Sequence, residues 1–111
     1  MLKRNERTME KYLQAGARMR LYKTLGTKLV NNISGVLSKE DQGKLIVAMK
    51  RIDEVCSKAE DNMFRDYPDL SNEYVDVFYG STDLSLRNDV DRQVMAIARK
   101  VADELFPGRT K

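Results

Sequence analysis

The residues best placed to do chemistry are charged, and the two signs are segregated along the chain. Residues 1–28 hold eight Lys or Arg (Lys3, Arg4, Arg7, Lys11, Arg18, Arg20, Lys23, Lys28) against Glu6 and Glu10, a net of +6. Residues 53–91 hold eleven Asp or Glu against Lys58, Arg65 and Arg87, a net of −8. The formal net charge of +3 therefore conceals a dipolar molecule. Arg4, Arg7, Lys11 and Arg18 share one helical face, the footprint of a helix lying along a phosphate backbone, and Arg20 adds to it. The competing reading is a solvated face whose charges pair with the acidic middle of the same fold or of a neighbouring copy. No helix-turn-helix signature, zinc spacing or aromatic RNA-binding motif accompanies the cations.

The stretch 66–86 carries five carboxylates, no Lys or Arg, and the aromatics Tyr67, Tyr74, Phe78 and Tyr79. Aromatic anchors ringed by like charge suit a basic groove on a partner protein, and Asp66, Tyr67, Asp69, Glu73, Tyr74, Asp76 and Tyr79 are the candidate contacts. Alternatively the aromatics fold inward as a lid over the core, with their hydroxyls at its edge. Glu73 and Asp76 form an E-x-x-D pair, a spacing that suits a magnesium ion beside a phosphate in an all-helical enzyme. Such a site needs further carboxylates, for which Glu60 and Asp61 or Asp103 and Glu104 are the available residues.

Histidine is absent. Serine and cysteine nucleophiles usually need an imidazole base, and most zinc sites need histidine or several thiolates. Cys56 is the only cysteine, and its place on an apolar stripe makes it a small core hydrophobe. The expectation is a protein with no catalytic residues, no metal, no cofactor and no small-molecule ligand.

The elements that must position these residues are helical. Gly and Pro together number eight, and Pro68 and Pro107 fall near the ends of periodic stretches. The spacing predicts a helix over 39–65, capped by Ser38 with Asp41 three residues on. Leu45, Met49, Ile52, Cys56, Ala59 and Met63 recur on it in steps of four and three, widened by Val55 and Phe64, and Tyr67-Pro68 ends it. A second helix is expected over 83–106, capped by Ser81 or Thr82. Leu86, Val90, Val94, Ile97, Val101 and Leu105 form its buried face, and Arg87, Asp91, Arg99 and Asp103 its solvated one. A short helix over 71–79, capped by Ser71 and closed by Gly80, is the third expectation, since a lone strand there would have no sheet to join.

The N-terminal third is helical over about 5–33, yet its stripe changes direction. Met9, Tyr12, Leu13 and Gly16 share a face, whereas Tyr22, Leu25, Leu29 and Ile33 continue on nearly the opposite side. Either the helix bends or breaks near 16–21, or it is sandwiched between two neighbours, one of which could be a second copy of the chain. Gly35 is its natural C-cap. Met49 and Met63 read as core filler, and Met9 and Met19 as lining for an adaptable groove.

With 111 residues, 41% hydrophobic and 33% charged, the chain suits one modest core rather than two, and neither disorder nor a membrane span. The longest purely apolar run, residues 45–49, is far short of the roughly twenty residues that cross a bilayer. No secretory signal is expected at the N-terminus, and the lone thiol agrees with a reducing, cytoplasmic setting. The expected fold is all-α, a single domain over 1–111 built as a small antiparallel bundle of three to four helices, with the first helix bent, broken or used for dimerisation. The expected function is a non-enzymatic interaction or regulatory protein that binds a partner protein, which could be its own homodimer. Nucleic-acid binding through the basic N-terminal helix is the alternative, and a magnesium-dependent phosphohydrolase the second alternative.

Overall fold

The computed structural model describes residues 1–79 and 88–105. Among these residues there is no strand, and three α-helices form an all-α bundle. They are α1 (Met9–Ile33), α2 (Lys39–Asp66) and α3 (Asp89–Leu105), with short 3₁₀ turns at Ser34–Val36 after α1 and Asn72–Asp76 after α2. A further 3₁₀ turn, Arg4–Glu6, precedes α1.

Each helix begins where a side chain can satisfy an otherwise orphaned backbone N–H. The Thr8 hydroxyl accepts from the amide of Lys11 at 3.2 Å and starts α1. The Ser38 hydroxyl accepts from the amide of Asp41 at 3.1 Å, so α2 starts where the sequence predicts. Asn88 does the same for α3, its Oδ1 2.8 Å from the amide nitrogen of Asp91. The described part of the last helix therefore starts at Asp89 rather than at 83, and the caps expected at Ser81 or Thr82, with Leu86 and Arg87, lie outside the described residues. At the other end of α2 the backbone turns away at Tyr67, before Pro68.

Other features also differ from expectation, and α1 starts at Met9 rather than near residue 5. The helix α1 runs without interruption from Met9 to Ile33, so there is no break at 16–21. Its end is made by the Ser34 hydroxyl donating to the Val30 carbonyl and by the 3₁₀ turn, not by a left-handed glycine at Gly35. The segment expected as a helix over 71–79 is only the 3₁₀ turn followed by a tight turn at 77–79.

The helices α1 and α2 form an antiparallel hairpin, held at its tip by Gln42 Nε2, which donates to the carbonyls of Ser34 at 2.7 Å and Leu37 at 3.0 Å. Leu45, Met49, Ile52, Cys56, Ala59 and Met63 face α1, with Cys56 and Met63 fully buried. Val55, by contrast, is exposed. On the other side of α1 lies α3, which buries Val90, Asp91, Val94, Met95, Ala98 and Ala102. It starts beside Arg20 and runs antiparallel to α1, so that Ile97 joins Met9 and Leu13 around the core.

The core is plugged by the end of the loop after α2. Val77 and Phe78 are buried between the helices, and Gly16 makes this possible. A Cβ at Gly16 would collide with the Val77 carbonyl and its Cγ1, so only glycine lets the loop backbone approach α1 so closely. Met9 and Met19 pack against this core rather than lining a groove.

Because α3 spans only the N-terminal half of α1, the far end of the hairpin projects beyond it. The radius of gyration is 15.6 Å, against about 13 Å for a compact domain of this length. Thus α1 is a central helix with α3 on one side and α2 on another. Its Tyr22, Leu25 and Leu29 are each about half exposed.

Candidate interaction surface

Asp66 is the last residue of α2 and is buried, a costly place for a carboxylate unless it is paired. Arg7 meets it through both ends of its fork, with Nε 2.6 Å from Oδ2 and Nη2 3.0 Å from Oδ1. The Tyr12 hydroxyl donates to Oδ2 at 2.6 Å. Arg4 Nη2 donates to the Asp66 carbonyl at 2.7 Å, satisfying one of the free carbonyls at the end of α2. The Tyr67 hydroxyl returns a bond of 2.9 Å to the Arg7 carbonyl, and the Tyr12 and Tyr67 rings meet edge to face, 6.3 Å apart. The Arg7 guanidinium and the Tyr12 hydroxyl hold the Asp66 carboxyl far below the usual carboxylate range. The same bond to Asp66 holds Arg7 above its ordinary value. Burial first, and then the neighbouring Asp66 carboxylate, push the Tyr12 hydroxyl up.

Arg20 forms a second internal hub. It is 1% exposed, and its Nη1 lies 2.5 Å from Asp91 Oδ1 on α3. Its Nε donates to the Val77 carbonyl at 3.1 Å, and its Nη2 donates to the carbonyl of Asp76. One side chain thus ties α1 to α3 and to the loop between α2 and α3. One turn further on, Lys23 Nζ donates to the Phe78 carbonyl at 2.6 Å and sits 4.5 Å from the centre of the Tyr79 ring. Asp53 Oδ1 lies 3.8 Å from the same ammonium. Among the described residues no buried side-chain nitrogen or oxygen lacks a partner.

These contacts redraw both charged surfaces expected from the sequence. Of the five basic residues, Arg7 and Arg20 are spent inside the fold, and Arg4 is anchored at its tip. Lys11 and Arg18 remain as exposed cations. Asp91, expected on the solvated face of the last helix, is buried with Arg20. In the acidic-aromatic set, Asp66 is internal, Tyr67 and Tyr74 pack against the core, and Tyr79 lies under Lys23. Asp69 and Glu73 stay exposed, and Asp76 is half-buried with its carbonyl given to Arg20. Tyr67, Tyr74 and Phe78 therefore form the inward lid, while Tyr79 stays 42% exposed.

Glu73 and Asp76 lie on the 3₁₀ turn near Glu60, whose carboxyl is raised by burial and by Asp61 and Asp76. No group of three or more Asp, Glu, His or Cys among the described residues is arranged to hold a metal. Cys56 is a free, buried thiol, pushed up by burial although Lys23 opposes the shift.

What the fold leaves uncovered is apolar. Tyr22, Leu25 and Leu29 are 55%, 58% and 47% exposed. Together with Leu45, Ala48, Met49 and Ile52 of α2 they line an open groove of about 160 Å³ whose floor is Gly26. The missing side chain at Gly26 lets Met49 pack onto α1: a Cβ there would lie 2.5 Å from its terminal methyl. The change of direction in the first helix is thus real, but an unbroken helix carries it. The face with Tyr12, Ala17 and Arg20 is buried in the fold, and the face with Tyr22, Leu25 and Leu29 stays about half exposed along the groove it forms with α2. Contiguous exposed apolar side chains on a charged small domain mark sites of association. No helix among the described residues is long and apolar enough to cross a membrane. No family model, curated protein or solved structure matches the chain.

Proposed function

We propose that this protein is a non-enzymatic interaction module that docks a protein partner on the apolar face of the α1–α2 hairpin. One observation carries the reading. Arg7, Arg20, Asp66 and Asp91 are consumed in holding the fold, while Tyr22, Leu25 and Leu29 are about half exposed beside a groove. An amphipathic helix laid into such a groove would bury anchors at i, i+3 or i+4 and i+7 spacing. The setting proposed is the cytoplasm, supported by the free, buried thiol.

Nucleic-acid binding through the same helix is left with Lys11, Arg18 and Lys28 as its exposed cations. Three phosphate contacts would give a shallow dependence of affinity on salt, and a steep one would revive that alternative.

The test is capture by the tagged full chain from its native extract, compared with Leu25→Asp and Leu29→Asp variants of unchanged thermal stability. Loss of every stable companion, including untagged copies of the chain, in both variants supports the reading. Companions that persist in both variants overturn it.

A further inference from the structure

The two stripes that flank the groove have the same construction. On α1, Arg18, Tyr22, Leu25 and Leu29 follow in steps of four, three and four. On α2, Asp41, Leu45, Ala48 and Ile52 follow in steps of four, three and four. Each stripe thus opens with one exposed charge and continues with three apolar residues, and the two charges are opposite. Because the helices are antiparallel, Arg18 stands at one end of the groove and Asp41 at the other.

Their distances from the centre match as well. The helices face each other at Gly26 and Met49. Gly26 comes eight positions after Arg18, and Met49 comes eight positions after Asp41. At a rise of 1.5 Å per residue both charges lie about 12 Å from the centre, in opposite directions. Arg18 makes no hydrogen bond or ion pair with the described residues. The Asp41 side chain is 55% exposed, and its ion pair among the described residues is with Lys44, at 3.8 Å.

A surface that is apolar in the middle and oppositely charged at equal distances on either side is complementary to itself under a two-fold rotation. With the axis across the helices, Arg18 of each copy comes level with Asp41 of the other, and the apolar stretches coincide. With the axis along the helices, Arg18 comes level with Arg18 and Asp41 with Asp41, so like charges oppose.

We infer that the occupant of the groove is a second copy of this chain, docked antiparallel so that the two α1–α2 hairpins form a four-helix layer. This deepens the docking reading above and rests on it. Leu25 and Leu29 of one copy pack against the exposed Ala48 and the Met49 side chain that covers Gly26 in the other. The central helix then has neighbours on all its apolar faces: α2, α3 and its own symmetry mate.

The experiment uses the purified full chain in sedimentation equilibrium from about 1 to 200 µM. The expected result is a dimer whose dissociation constant rises with salt, as exposed ion pairs are screened. Arg18→Glu and Asp41→Arg should each weaken it about tenfold, since two symmetry-related exposed pairs are lost and replaced by repulsion. The double variant should recover most of the loss, which no general loss of folding can imitate. A chain that stays monomeric across the range overturns self-association, as does a dimer equally tight in all three charge variants. Capture of another protein, lost in Leu25→Asp, would in that event show that the docking reading stands while the second copy is not its occupant.

Discussion

Arg20 of α1 and Asp91 of α3, 71 positions apart in sequence, meet in the core with Nη1 2.5 Å from Oδ1. Around this pair the molecule orders its least regular segment, because the same guanidinium reaches the carbonyls of Val77 and Asp76. Removing one member of a buried pair strands the other without water. Arg20→Met should therefore lower unfolding free energy by about 3–5 kcal/mol in urea titration. Asp91→Leu added to it should recover part of the loss, leaving the cost of two loop carbonyls that have lost their donor. Additive losses in the two single variants would contradict the pairing.

Acid sensitivity should trace to Asp66. Its carboxyl is held far below the unfolded value by Arg7 and Tyr12. A depressed pKa stabilises the fold at every pH above the unfolded value of about 4, and the contribution fades as pH falls from there toward the folded value. Melting temperature should fall more steeply between pH 4 and pH 2 for the natural chain than for Asp66→Asn, whose melting at pH 7 should already be lower. Parallel curves for the two proteins over that interval would contradict this.

The two core-facing glycines should respond differently to a methyl group. At Gly16 the obstacle is the backbone of Val77, which cannot yield without lifting the buried Val77–Phe78 plug. At Gly26 the obstacle is the flexible end of Met49. Thermal melting should show Gly16→Ala losing about 2–4 kcal/mol, in the range of strongly strained core changes. Gly26→Ala should stay within about 1 kcal/mol, where better helix propensity offsets the shift of the methionine.

Much of this arrangement is legible in the sequence, and the gaps have a common cause. The α2 stripe from Leu45 to Met63, its Ser38 cap and its end before Pro68 are local matters of periodicity and backbone sterics, and they stand as read. The switch of face in the first helix is equally visible, and the unbroken α1 removes the break as its explanation. What periodicity could not reveal are the long-range polar partners. Arg20 and Asp91 each look like ordinary surface charges on their own helices, and only the closure of the bundle makes them internal. Asp66 likewise sits at the end of a helix, a solvated position until the N-terminal segment folds across it. One signal was present: Gly16 in mid-helix, unfavourable by propensity, marks the close approach of Val77.

Cys56 should be inert in the folded protein. It is buried, and burial raises its thiol above the ordinary value, so little thiolate is present at neutral pH. A colourless-to-yellow thiol reagent should label it only in denaturant, at the rate of global unfolding. Stoichiometric labelling of the native chain within minutes would contradict this.

The most direct test of the docking face is a photo-crosslinking amino acid placed at Leu25, with a second version carrying it at Arg99 on the exposed side of α3. Irradiated at native concentration, the version substituted at 25 should give a discrete adduct, of dimer mass if the occupant is a second copy, and the version substituted at 99 should give none. Adducts of equal yield from both positions, or none from position 25, would contradict the assignment of that face.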